Sequence, residues 1–137
     1  MRVKHIGYAA ALSLAILSQT GFSAQETMVF KNNHGSTLEI TVNEDDSVQG
    51  FFTTTVATKD CQQVVGQKRP VVGFLTGNAL TLSIYYPSCG SALSIIGNLK
   101  KDNKIIDSTW VATHQVDPTK DALSARFIGH NKYKRIS

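Results

Sequence analysis

Apolar and polar residues alternate in short runs along most of this chain, with a period of two rather than 3.6. In residues 36–42, Leu38, Ile40 and Val42 alternate with Thr37, Glu39 and Thr41, the pattern of a strand with one dry and one wet face. The same reading predicts strands over 27–33, 36–42, 48–55, 70–75, 79–86, 91–99, 105–114 and 122–133. Turn formers separate them: His34-Gly35, the acidic run Asn43-Glu44-Asp45-Asp46-Ser47, Thr76-Gly77-Asn78, Pro87-Ser88-Cys89-Gly90, a polar tip at 100–103 and Asp117-Pro118-Thr119-Lys120. Residues 57–67 form a looser stretch that holds Cys61. Eight short strands with hairpin links predict an all-β, antiparallel up-and-down meander. Closing it into an eight-stranded β-barrel removes its exposed edges.

The first residues break this pattern. Arg2, Lys4 and His5 precede an apolar run at 6–17, and the small residues Gly21 and Ser23 follow. These features predict a signal peptide over 1–23, cleaved after Ser23 or Ala24, and a mature domain over 24–137. The apolar run is short for a membrane span, so export to the periplasm or beyond is expected rather than anchoring. Losing Arg2 and Lys4, but no acid, lowers the net charge from +4 to +2. That is too mild a bias for a nucleic-acid partner. The basic cluster Lys132, Lys134 and Arg135 reads as a solvated tail. Cys61 and Cys89 are the only cysteines, and an even count in an exported chain reads as one disulfide. Free thiols are the alternative; a zinc site lacks a second cysteine pair or a nearby histidine.

Catalytic constellations are weak. His34, His114 and His130 fall on different strands or turns without metal-ligand spacing, and no phosphate-binding loop or acidic pair stands out. The expectation is a protein that is not an enzyme and carries no metal or cofactor. The strand faces say more. Met28, Phe30 and Asn32 share one face; so do Gly50, Phe52 and Thr54; Leu82, Ile84 and Tyr86; Ser91, Leu93, Ile95 and Gly97; Ser108, Trp110 and Ala112; and Gly129 with Asn131. Most combine apolar bulk with one polar group near a strand end. Such faces line a mostly apolar ligand pocket, or else fill a barrel whose polar groups cap its open end. Periodicity leaves both readings open.

Several of these residues carry a specific likeness. Asn32-x-x-Gly35-Ser36-Thr37, Val48-x-Gly50-x-Phe52, Val72-Gly73, Leu82-Ser83-Ile84-Tyr85-Tyr86, Cys89-Gly90-Ser91-Ala92, Ser108-Thr109-Trp110 and Gly129-His130-Asn131 occur in order through almost the whole mature chain. The chain resembles the avidin/streptavidin family, and within it the short, dimeric, rhizavidin-like bacterial branch. The Cys61 to Cys89 spacing fits a disulfide between two loops near the pocket mouth, a trait of that branch.

The resemblance implies a barrel that binds biotin non-covalently in its open end and assembles into a dimer or larger homo-oligomer through its later strands. It places the donors to the ureido oxygen at Asn32, Ser36 and Phe52, where the last has lost the family's tyrosine hydroxyl. Ureido N–H acceptors fall at Thr54 and at Asn131, an amide where the family has a carboxylate. Ser91 matches a serine near the ligand tail, and Leu93 replaces a threonine. Family tryptophans fall at Phe30, Tyr86, Ile95 and Trp110, of which only the last is kept. Together these departures cost roughly 5–8 kcal/mol, or about four to six decades in dissociation constant. Three readings follow: a biotin binder of reduced affinity, the same barrel with a different and less polar ligand, or an interaction module with a vestigial pocket.

Overall fold

Eight antiparallel strands, each hydrogen-bonded to the next, close into a barrel when the first meets the last. The computed structural model describes residues 25–137; the predicted signal peptide at 1–23 lies outside the described residues. The strands are β1 (Thr27–Asn32), β2 (Thr37–Val42), β3 (Ser47–Thr53), β4 (Lys68–Thr76), β5 (Ala79–Tyr86), β6 (Ser91–Lys100), β7 (Ile105–His114) and β8 (Arg126–Arg135). Short 3-10 turns occupy Lys59–Val64, Pro87–Cys89 and Leu123–Ala125. The eight-stranded up-and-down barrel is therefore the architecture that the alternation predicts.

The connections differ at the two ends of the barrel. At one end β2–β3, β4–β5 and β6–β7 are joined by tight turns, the last with Lys101, Asp102 and Asn103 all in the left-handed region. The interior there is packed with Met28, Leu38, Ile40, Val48, Val71, Leu80, Leu82, Leu99 and Ile106. At the other end the chain passes through 33–36, 54–67, 87–90 and 115–125. Two of these, 54–67 and 115–125, are long, and the barrel is open at this end.

Strand limits differ from expectation where side chains compete with the ladder. The third strand stops at Thr53, not at residue 55, because Thr54 turns to a partner two residues on and Thr55 turns to the β1–β2 connection. The Thr54 hydroxyl donates to the Val56 carbonyl, and the Thr55 N–H donates to Ser36 Oγ. The fourth strand starts at Lys68, before Pro70. Pro70 fits because it pairs only with Phe51; pairing of β4 with β5 begins at Val72 opposite Ser83. Arg69 Nε donates to the Tyr85 carbonyl at 2.9 Å and bridges that unpaired stretch. β1 ends at Asn32 rather than 33, and β6 runs on to Lys100.

The last strand is the main correction. It runs from Arg126 to Arg135, not over 122–133, after a turn in which Asp121 accepts the Leu123 N–H. Lys132, Lys134 and Arg135 are therefore not a solvated tail. They belong to the strand that closes the barrel, pairing Phe30 with Arg135, Lys31 with Lys134 and Asn32 with Tyr133. Arg135 also forms an ion pair with Glu26. Lys132 and Lys134 face solvent while Tyr133 between them points inward and is only 1% exposed.

Candidate ligand-binding site

A cavity of about 350 Å³ occupies the open half of the barrel. The barrel is thus not filled along its length, and the volume is that of a small-molecule pocket. All ten residues singled out from the sequence line it: Asn32, Ser36, Phe52, Thr54, Tyr86, Ser91, Leu93, Ile95, Trp110 and Asn131. Phe30, expected as a wall, does not; it is fully buried in the packed core. Among the described residues, no lysine, arginine or carboxylate lines the cavity. Its polarity comes from hydroxyls, carboxamides and the imidazole of His114 at the mouth.

The hydrogen bonds fix what each polar group offers. Asn32 ends β1, and its Oδ1 accepts the N–H groups of His34 and Ser36, both at 3.0 Å. That clasp holds the turn into β2, in which Gly35 takes φ +89°, a conformation a side chain would strain. With its oxygen engaged, Asn32 presents its Nδ2 as a donor. Ser36, 1% exposed, accepts the Thr55 N–H at 3.0 Å and lies 3.2 Å from Thr55 Oγ1. Thr55 has already given its proton to the His34 carbonyl at 2.7 Å. Ser36 is therefore the donor in that pair, and its proton can rotate to a ligand.

Thr54 has the opposite character. Its hydroxyl donates to the Val56 carbonyl at 2.6 Å and accepts the Val56 N–H at 3.2 Å, leaving one lone pair to accept from a ligand. Two donors and an acceptor thus reach the cavity from the ends of β1, β2 and β3. Ser108, on the same face of β7 as Trp110, is committed elsewhere: its hydroxyl donates to the Asn131 carbonyl at 2.8 Å.

The walls are apolar. Trp110 is seated against Gly129 of β8, where a Cβ would lie 2.4 Å from the indole Cζ2. Tyr86 contributes its ring, but its hydroxyl is buried without a partner among the described residues. Burial pushes that phenol up to about 12, against a smaller pull from Arg69. At the mouth, the Cys61–Cys89 disulfide joins the turn Lys59–Val64 to the turn Pro87–Cys89, and both cysteines line the opening. His114 and Phe127 meet there edge to face at 5.5 Å.

Sequence reasoning missed Tyr133, which lines the cavity. It sits two residues beyond Asn131 and so shares its face, a signal hidden by the flanking lysines. Burial pushes its phenol up, while hydrogen bonds from the Asn32 and Asn131 side chains pull it the other way. The mouth residues Val56, Ala57, Thr58 and Val64 were also missed, because irregular backbone carries no period.

The sequence model of the avidin family matches residues 23–136. Among solved structures, core-bradavidin aligns with a TM-score of 0.68 and 22% identity, over 80% of this chain and 99% of its own. A bradavidin2–biotin complex aligns at 0.66 and 23% identity, over 80% and 96% of the two chains. A rhizavidin–biotin complex aligns at 0.66 and 19%, over 85% and 98%. At these identities the likeness is one of fold. A search among curated protein sequences found no match.

Proposed function

The chain belongs to the avidin family, and from that premise we propose that it is an exported protein that binds biotin non-covalently, with reduced affinity, in the open end of its barrel. The observation that carries this reading is the donor and acceptor pattern of the cavity. Asn32 Nδ2 and the Ser36 hydroxyl can donate to a ureido oxygen, while Thr54 Oγ1 can only accept, as a ureido N–H requires. Trp110, Phe52, Tyr86 and Ile95 form the apolar walls around the bicyclic body. Ser91 and Leu93, at the start of β6, flank the tail.

Reduced affinity follows from two residues. Phe52 lines the cavity without a hydroxyl, and Asn131 offers an amide where a carboxylate would make a charge-assisted bond. The experiment is isothermal calorimetry with biotin on the mature protein beside the Phe52→Tyr/Asn131→Asp double variant. Biotin binds the double variant at least a hundredfold more tightly on this reading. Equal or weaker binding in the double variant removes the assigned roles of residues 52 and 131.

A lining without lysine, arginine or carboxylate among the described residues favours a second reading, a neutral and less polar ligand in the same cavity. Mass spectrometry of small molecules that co-purify with the protein separates the two. The outward faces of β4, β6 and β8 carry exposed Val72, Phe74, Ile96 and Ile128, which supports assembly of barrels side by side into a homodimer or larger oligomer.

A further inference from the structure

We propose that Tyr133 organises the polar end of this pocket, accepting from the carboxamides of Asn32 and Asn131 and donating its own hydroxyl proton to the ligand's carbonyl oxygen. This inference rests on the biotin reading and names a residue that reading does not use.

Three observations converge on it. Tyr133 lies directly across from Asn32 in the pairing of β1 with β8, lines the cavity, and is 1% exposed. Asn131, two residues before Tyr133 on the same inward face of β8, lines the cavity with it, and the pull of both carboxamides on the phenol has the sign expected of N–H donors. For Asn32 this agrees independently with the turn, where Oδ1 is held by the N–H groups of His34 and Ser36 and only Nδ2 is left to point away. The phenol oxygen thus serves as an acceptor, and its proton remains to donate.

The consequence for Asn131 is specific. With Nδ2 turned toward Tyr133, its Oδ1 becomes the group that can accept a ligand N–H. An amide can face a pocket either way round; a fixed acceptor beside it chooses one. Tyr133 in this way lets an uncharged residue do part of the work of a carboxylate. Its own O–H replaces, from β8, the hydroxyl that Phe52 on β3 lacks.

Calorimetry with biotin on the wild type, Tyr133→Phe, Phe52→Tyr and the exchanged Phe52→Tyr/Tyr133→Phe variant tests this. Tyr133→Phe keeps the ring and its packing. It weakens binding ten- to a hundredfold, and the exchanged variant recovers part of the loss because the donor returns from β3. The side-chain amide proton resonances of Asn32 and Asn131 in the unliganded protein shift in Tyr133→Phe, a change that a purely packing role does not produce. If wild type and Tyr133→Phe bind biotin equally, Tyr133 is a core residue only and this inference falls while the biotin reading stands. If neither wild type nor Phe52→Tyr binds biotin, the biotin reading falls and takes this one with it.

Discussion

Asn32 and Tyr86 are both polar side chains buried in the same barrel, and they fare differently because of what surrounds them. Asn32 is satisfied twice by the turn it starts, so its burial costs little and its remaining donor is aimed. The Tyr86 hydroxyl has no partner among the described residues, a burden of about 1–3 kcal/mol. Tyr86→Phe is therefore expected to leave stability unchanged or raise it by about 1 kcal/mol at neutral pH. The alkaline limb adds a second signature. The folded phenol titrates near 12 against an ordinary value of 10, so the fold favours the neutral form. That advantage is present below pH 10 and is lost as pH rises from 10 to 12, on the order of 2 kcal/mol. Denaturant unfolding across this window falls more steeply for the wild type than for Tyr86→Phe; parallel curves would contradict the assignment.

Gly129 makes a related point about walls. A methyl there meets the Trp110 ring at 2.4 Å, so Gly129→Ala pushes the indole into the cavity. The expected result is a loss of about 1–3 kcal/mol in stability, a shifted Trp110 emission and weaker ligand binding. Unchanged emission would show that the indole is not held there.

Among the elements, the sequence is most legible where alternation is undisturbed. β2, β5 and β7 begin and end where the pattern predicts, or within a residue of it, because each buries one face. Legibility fails where a second principle overrides the period. At the end of β3, the Thr54 hydroxyl bonds its own neighbourhood, and Thr55 bonds the β1–β2 connection, so the chain leaves the ladder. At the end of β8, a run of cations outweighs a single inward tyrosine in any reading by charge, yet pairing with β1 needs that run as strand. The candidate site is legible to the same degree. Eight of its ten residues lie on strand faces that a period of two exposes, and Ser36 and Thr54 sit one residue beyond a strand end, whereas the mouth is set by contacts remote in sequence.

The disulfide is the element-scale constraint on that mouth. Cys61 and Cys89 are 28 residues apart, and in the chain-entropy picture a bridge of this span stabilises by about 3–4 kcal/mol. Cys61→Ser/Cys89→Ser is expected to lower Tm by roughly 10–20 °C and to weaken ligand binding, since both turns border the opening. A Tm within a degree or two of wild type would mean that the mouth is held by packing alone.

As a whole molecule, the barrel divides its length between two tasks. Apolar packing fills one end and supplies stability; the other end is open around a lining that, among the described residues, holds no lysine, arginine or carboxylate. That division explains why polar groups at strand ends can be spent on a ligand without weakening the core. It also explains how the family's charged acceptor can be absent while the cavity persists, since Asn131 is half-buried beside Tyr133 rather than part of the packed interior. Outward-facing Ile96 and Ile128, on β6 and β8, leave an apolar surface that a second barrel would cover.

The most direct test of the central claim is a titration of the mature wild-type protein with biotin, followed by calorimetry and by Trp110 fluorescence on the same samples. The account predicts saturable binding of one biotin per chain, with an emission change that tracks the heat. No heat and no change in Trp110 emission up to high micromolar biotin would contradict it.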